Sequence, residues 1–182
     1  MKILKHILIS IFSCTCLFSY SQDLQKLKDN NGFRDIKLGS NVKDYPGFVK
    51  KSSKNVGCFG VWTEYNYILD QNYTKGYDKI GETEIVRIFA KTFEGKIYEI
   101  KLVLEKNYEV LELLVLAYGK PNWDNKGADS LWWKTDNEIQ CWFSGRSDWS
   151  KNYYIEYTDL KKSHIAYEKE IADKKKKAMS EF

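Results

Sequence analysis

The stretch from Thr83 to Pro121 constrains the fold most, because its apolar residues change from a period of two to a helical period. Apolar and polar residues alternate before the Glu94-Gly95 pair, and alternate again after it. A Glu-Gly pair between two such runs is typical of a β-hairpin, since glycine readily adopts the positive φ that a tight turn needs. We therefore predict two antiparallel strands, with Val86, Ile88 and Ala90 facing the core.

The end of the same stretch predicts a buried central helix over residues 107–118. Asn107 is a suitable N-cap, because its side chain can accept a hydrogen bond from an amide of the first turn. Gly119 fits the left-handed position that follows a helix, and Pro121 cannot continue one. The residues between them are apolar on nearly all sides, so we expect this helix to be buried on more than one face.

The remaining pattern predicts an α+β fold. Alternating runs indicate further strands near 61–69, 131–134, 138–144 and 153–157. A final helix over about 159–180 follows Asp159, with apolar residues spaced by three and four. Short connections between successive strands favour a single antiparallel sheet of about six to seven strands, with both helices packed on it. Only the first half of the final helix should dock there, and its lysine-rich distal end should be solvated.

The first 21 residues have the pattern of a secretory signal peptide. Lys2 and Lys5 precede an apolar run, and small residues stand at 19–21, where signal peptidase would cleave. The run is too short to span a bilayer, and no second apolar segment is long enough to do so. We expect one exported domain over residues 22–182, periplasmic or extracellular.

Lipid attachment at Cys14 or Cys16 is an alternative, but it shortens the apolar run. Removing residues 1–21 removes two lysines and no acids, so the net charge falls from +4 to +2. A nearly neutral domain does not indicate a nucleic-acid partner. Cys58 and Cys141 then remain, and they either form a disulfide or stay as two buried thiols.

The sequence has few or none of the residues that several common catalytic and binding sites need. The domain after the signal keeps one histidine, His164, which lies on the apolar stripe of the final helix and is more typical of packing than of catalysis. Three His and Cys residues in total are too few for a typical zinc site. No glycine loop with a following lysine and helix indicates phosphate binding. We expect no metal, no cofactor and no catalytic histidine or cysteine.

The aromatic residues are the most distinctive feature of the C-terminal half. Five of the six tryptophans lie within residues 123–149. If Cys141 and Phe143 face inward, Trp142 must face outward, and the same parity places Tyr154 opposite Tyr153. Either the sheet is covered on both faces, or it presents an aromatic surface to a ligand. The candidate binding residues are Trp132, Trp142, Trp149 and Tyr154.

Two short motifs resemble small bacterial envelope modules. Ile36-Lys37-Leu38-Gly39-Ser40 reads as a strand and a helix start, and Tyr118-Gly119-Lys120-Pro121 reads as a helix end that leads into the aromatic Leu131-Trp132-Trp133 segment. The pattern is similar to outer-membrane-assembly lipoproteins and β-lactamase inhibitor proteins, over about a quarter of the chain. The resemblance implies a non-enzymatic domain that contacts proteins, and it carries over no site residues.

We therefore expect an exported, non-enzymatic binding module that contacts a protein or glycan of the cell envelope. The alternative is a small carboxylate-dependent hydrolase of the glycoside type, which would need neither metal nor histidine. Its candidate acids are Glu82, Glu84, Asp124, Asp129, Asp136 and Glu138, a set that an acid-rich chain also supplies by chance.

Overall fold

The computed structural model describes residues 24–51, 63–67, 76–125, 129–136, 138–146 and 150–180. The helices are α1 (Leu24–Asn30), α2 (Glu109–Tyr118) and α3 (Leu160–Ser180), with a short 3₁₀ helix at Val42–Asp44. The strands of the N-terminal half are β1 (Gly32–Phe33), β2 (Ile36–Lys37), β3 (Phe48–Lys50), β4 (Thr63–Tyr67) and β5 (Lys79–Ile80). The others are β6 (Thr83–Phe93), β7 (Lys96–Glu105), β8 (Trp123–Asn125), β9 (Ser130–Lys134), β10 (Ile139–Ser144) and β11 (Asn152–Asp159).

The fold is α+β, as predicted, but its sheet is larger than expected. Nine strands pair antiparallel in the order β3-β4-β6-β7-β11-β10-β9-β8, with β5 on the first residues of β6. β1 and β2 form a separate two-stranded sheet. The expectation of six to seven strands was too low because β3, β5 and β8 have only two or three residues each, too few to show an alternating pattern.

The predicted central hairpin is present. Glu94 and Gly95 both have positive φ, 51° and 77°, and they join β6 directly to β7. The expectation that Val86 faces the core was wrong. The register shifts between Ile85 and Arg87, so the extra residue, Val86, turns to the other face and is 44% exposed, while Ile85 is buried.

The hydrophobic core lies on one face of the sheet, which we call the core face. It gathers Ile88, Leu102, Ile155 and Phe143 from neighbouring central strands. α1, the β1–β2 sheet and α2 contribute further buried residues, namely Leu27, Phe33, Ile36, Val110, Leu114 and Tyr118. The N-terminal segment and α2 therefore cover the same side of the sheet.

Helix α2 is present, but it is not buried on nearly all sides. Val110 and Leu114 are buried, whereas Leu116 is 79% exposed. The helix packs on one face only, as an amphipathic helix would, even though its sequence is apolar almost throughout. The Asn107 side chain accepts from the amide of Glu109 at 3.1 Å, as predicted, but the helix begins at Glu109 and its N-cap position is Tyr108. Gly119 ends the helix with a positive φ of 73°, but its ψ of −162° lies outside the left-handed helical region that was expected.

Helix α3 begins as predicted, because Asp159 Oδ1 accepts a hydrogen bond from the amide of Lys162 at 3.0 Å. The helix contacts β7 and β11 of the sheet, although none of its described side chains is fully buried. His164 is exposed and lies 3.2 Å from Glu168 rather than in an apolar contact. No helix in the described ranges is long and apolar enough to cross a membrane.

Cys141 lies in the centre of the core, is fully buried and forms no disulfide with another described residue. Burial raises the pKa of the Cys141 thiol, although the hydrogen bond with Tyr157 acts in the opposite direction. Cys58 lies outside the described residues, so the Cys58–Cys141 disulfide stays a prediction.

Candidate functional site

The second face of the large sheet, opposite the core face, carries polar, charged and aromatic side chains. We call it the open face. Strand register places one row of directly opposed residues across six strands of this face, in the order Phe89, Lys101, Glu156, Trp142, Trp132 and Trp123. Directly opposed residues of neighbouring strands have adjacent side chains, so this row is continuous. Three tryptophans therefore stand beside a carboxylate and an ammonium group.

Three of the four predicted binding residues lie on the open face. Trp132 and Trp142 are in the central row, and Tyr154 lies on β11, opposed to Val103 and Ser144. Trp149 lies outside the described residues. Trp142 and Tyr154 both point away from the core face, as their alternation with core residues predicts, and both side chains are partly exposed.

The adjacent residues Trp132 and Trp133 point to opposite faces of β9. Trp133 is fully buried in the core, where its Nε1 donates to the carbonyl of Gly119 at 2.8 Å. Trp132 is partly exposed on the other face, and its Nε1 donates to Ser130 Oγ at 3.2 Å. One tryptophan therefore belongs to the scaffold, and its neighbour is available to a ligand.

The three tryptophans form a twisted aromatic row. The ring centroids of Trp123 and Trp132 are 5.4 Å apart, and those of Trp132 and Trp142 are 6.2 Å apart. Successive rings are tilted by 58° and 57°, so their faces do not lie in one plane. Trp123, at the edge strand, is 54% exposed. The row offers several aromatic faces in succession.

Lys101 lies where this row meets the charged part of the face. Its Nζ is 5.3 Å from the ring centroid of Tyr154 and 6.0 Å from that of Trp142, within the range of cation–π attraction. Among the described residues, the Lys101 ammonium forms no ion pair. The aromatic rings therefore hold a positive charge that retains its hydrogen-bond donors.

A second row of opposed residues is charged: Glu64, Lys91 and Glu99. Lys91 Nζ lies 2.7 Å from Glu99 Oε1 and 2.8 Å from Oε2, so it contacts both carboxylate oxygens. Desolvation by burial raises the pKa of Glu99 from 4.5 to about 7, nearby Glu156 adds to this, and Lys91 and Lys101 oppose it.

The charged row and Lys101 line a cavity of about 780 Å³ on the open face, and the three tryptophans lie beside it, not among its described lining residues. Leu160 and Ser163, from the first turn of α3, form one wall. Six of the lining residues are charged: Glu64, Arg87, Lys91, Glu99, Lys101 and Glu156. The uncharged polar lining residues are Gln140, Asn152, Thr158 and Ser163, with Tyr154 as an aromatic wall. The volume lies within the range of small-molecule sites.

The sequence patterns did not single out Glu99, Lys101 or Glu156, and no candidate binding residue was placed on the central hairpin. A signal was available, because Glu99 and Lys101 alternate with the core residues Ile100 and Leu102. The parity argument that placed Trp142 outward places them outward too. The strand order then brings the charged residues of β7 close to the aromatic residues of β10 and β11, since β11 pairs with both β7 and β10.

The carboxylates predicted for catalysis do not meet in the cavity. Asp124 and Asp129 both pair with Arg146, at 3.0 and 3.3 Å, near the β8–β9 edge. The cavity instead contains Glu99 and Glu156, which stand diagonally on β7 and β11. Within the described ranges, no group of three His, Cys, Asp or Glu side chains is arranged to hold a metal ion.

Comparison with known proteins adds no family. The chain matches no protein-family model, no curated protein and no solved structure. The resemblance to small envelope modules therefore stays a prediction, and the geometry of the open face is the basis for a functional proposal.

Proposed function

We propose that this chain is an exported, non-enzymatic binding module that contacts a protein or glycan of the cell envelope through the open face. The observation that carries the proposal is the continuous row of Trp123, Trp132 and Trp142 beside Lys101. Large exposed aromatic groups are costly to leave in water, and they are typical of contact surfaces.

The contacts that the carboxylates of Glu99 and Glu156 already make within the protein favour binding over catalysis. Glu99 contacts Lys91 through both oxygens, and Glu156 Oε1 accepts from the hydroxyl of Thr158 at 3.2 Å. A hydrolase would need one carboxyl as a free acid and the other aimed at substrate or water. A general acid held by a lysine cannot donate its proton without first breaking that pair.

A carboxylate-dependent hydrolase is the second candidate, because the raised pKa of Glu99 is the property of a general acid near neutral pH. Glu156 would then be the second carboxylate. Turnover of chromogenic glycosides that disappears in Glu156→Gln would support this candidate, whereas an inactive wild-type protein would count against it.

Retention on cell-envelope extracts tests the binding proposal. We expect Trp142→Ala to reduce retention of the protein at least about fivefold, since truncating an aromatic contact residue costs more than 1 kcal/mol in many interfaces. The melting temperature should change little, because Trp142 is partly exposed.

Tyr108→Ala is the matched control, because Tyr108 is an aromatic residue that is 69% exposed at the start of α2, on the other side of the sheet. It should retain wild-type binding. Equal retention of the wild type and Trp142→Ala would contradict the proposal, and unfolding of Trp142→Ala would mean that this ring belongs to the core.

Export is part of the same proposal and rests on the N-terminal sequence pattern. The exported protein should begin at Gln22. Full-length protein in the cytoplasmic fraction, with Met1 retained, would contradict it.

A further inference from the structure

We propose that the ligand of the open face is a saccharide that carries a carboxylate, and that Lys101 is the residue that recognises this carboxylate. The inference rests on the proposed function, because it names the ligand class of the same face. Charge, aromatic geometry and the polar lining of the cavity support it separately.

The cavity lining has three acids and three cations, but one of the acids, Glu64, pairs with Lys51 outside the lining, which leaves one positive charge for a ligand. Among the six charged lining residues, Glu64 pairs with Lys51 at 3.3 Å and Glu99 pairs with Lys91 at 2.7 Å. Three charges remain, Arg87, Lys101 and Glu156, and neither of these two cations forms an ion pair with a described residue. Two cations against one acid favour a singly charged anion. A hydrogen bond between an ammonium and a carboxylate is about twice as strong as a neutral one.

Lys101 is positioned for this role before any ligand binds. The rings of Tyr154 and Trp142 lie 5.3 and 6.0 Å from its ammonium and restrict where the side chain extends. Because these rings neutralise the charge only weakly, the ammonium still has three donors for an oxygen anion. A preorganised donor binds with less loss of conformational entropy than a mobile one.

The surroundings of Lys101 fit the rest of a sugar. The C–H groups on a pyranose face are apolar and pack on aromatic rings, which Trp142 and Trp132 present side by side. The hydroxyl groups need acceptors and donors, which Glu156, Gln140 and Asn152 supply at the cavity wall. A carboxylate that accepts from a hydroxyl group forms a strong, short hydrogen bond.

A protein ligand fits this face less well. The centres of protein–protein interfaces are depleted in charged residues and are enriched in closely packed apolar groups. The open face has the opposite arrangement, since Lys101 and Glu156 oppose each other on β7 and β11, the two central strands of the sheet. A polar ligand with many hydroxyl groups can satisfy these charges without leaving one buried and unpaired.

The test compares two forms of one oligosaccharide, with its carboxylates ionised or neutralised as methyl esters. Calorimetry would measure binding of the full chain to oligogalacturonate and to the same oligomer with its carboxylates methyl-esterified. We expect the wild-type protein to bind the acid form about tenfold more tightly than the ester, and this preference to weaken with added salt. Lys101→Gln should bind both forms equally, at the affinity of the ester, whereas Lys101→Arg should restore the preference.

Lys96→Gln is the matched control, because it removes an exposed lysine from the same strand, outside the cavity. It should keep the preference. Circular dichroism of each variant confirms that the fold is retained. A preference that survives in Lys101→Gln, or equal binding of both oligomers by the wild type, would overturn the inference.

Three further outcomes distinguish failure of this inference from failure of the proposed function. If neither oligomer binds but Trp142→Ala still abolishes retention on envelope extracts, the proposed ligand class is wrong, and the proposal that the open face binds a ligand is retained. If Trp142→Ala also retains binding, the proposed function itself fails. If the wild-type protein dimerises and Trp142→Ala is monomeric, the open face binds a second copy of this chain, which would contradict the saccharide proposal.

Discussion

Leu114→Asp is expected to unfold this protein, whereas Leu116→Asp, two residues further along the same helix, is expected to leave it folded. Leu114 is 6% exposed and faces the core, and Leu116 is 79% exposed. The two substitutions are chemically identical. Their contrast therefore measures how α2 is oriented on the sheet, not how aspartate affects a helix.

The size of the first effect follows from burial. Leucine burial is worth about 1.5–3 kcal/mol, and an unpaired ionised carboxylate in an apolar core costs several kcal/mol more. A whole domain has a free energy of unfolding of only about 5–15 kcal/mol. For Leu116→Asp we expect a loss of about 1 kcal/mol or less, mainly because a carboxylate near a helix C-terminus is unfavourable.

Urea unfolding followed by circular dichroism would measure both variants. Leu114→Asp should show no cooperative transition, and Leu116→Asp should show a midpoint close to that of the wild type. If both variants unfold, α2 is buried on all sides, as its sequence suggests. If both remain folded, α2 does not pack on the core face.

The second large effect is a loss of stability as the pH rises. Glu99 has a pKa of about 7 in the folded protein, against 4.5 for the unperturbed carboxyl. Between these values the folded state holds a proton that the unfolded state has released, so stability falls as pH rises. This loss is complete above the folded pKa and absent below the unfolded one. It amounts to on the order of 3 kcal/mol of unfolding free energy between pH 5 and pH 8.

Glu99→Gln removes the titrating group and keeps the shape of the side chain. Urea unfolding at pH 5 and pH 8 should therefore show a smaller loss of stability in Glu99→Gln than in the wild type. Glu105→Gln is the control, because Glu105 is an exposed carboxylate on the same strand, and it should keep the wild-type pH dependence. An equal loss in the wild type and Glu99→Gln would show that Glu99 is ionised in the fold at both pH values.

The parts of the fold that depend on local pattern were predictable from sequence. The Glu94-Gly95 turn, the cap at Asn107 and the stop at Gly119 each depend on residues within a few positions. Features that depend on distant parts of the chain were not predictable. The bulge at Val86 and the exposed side of α2, at Leu116, depend on how neighbouring elements pack and pair.

The candidate site also has some features that local sequence pattern predicts and others that depend on distant parts of the chain. Period-two parity correctly placed Trp142 and Tyr154 outward, because this rule is local to one strand. The partnership of Lys101 with these rings depends on β11 lying between β7 and β10, a strand order that the order along the chain does not reveal. Parity also places Lys101 outward, but charged residues on one side of a strand are usually solvated, so that position alone did not mark Lys101 as a site residue.

Oxidative footprinting of the free and bound protein tests the central claim most directly. Hydroxyl radicals would be applied to the protein alone and to the protein bound to envelope material, with mass spectrometry reading each side chain. We expect Trp123, Trp132 and Tyr154 to be protected on binding, and Tyr108, on the other side of the sheet, to be oxidised equally in both states. Protection of Tyr108 and Leu116 with unchanged oxidation of the three aromatic residues would place the contact on α2 and contradict the account.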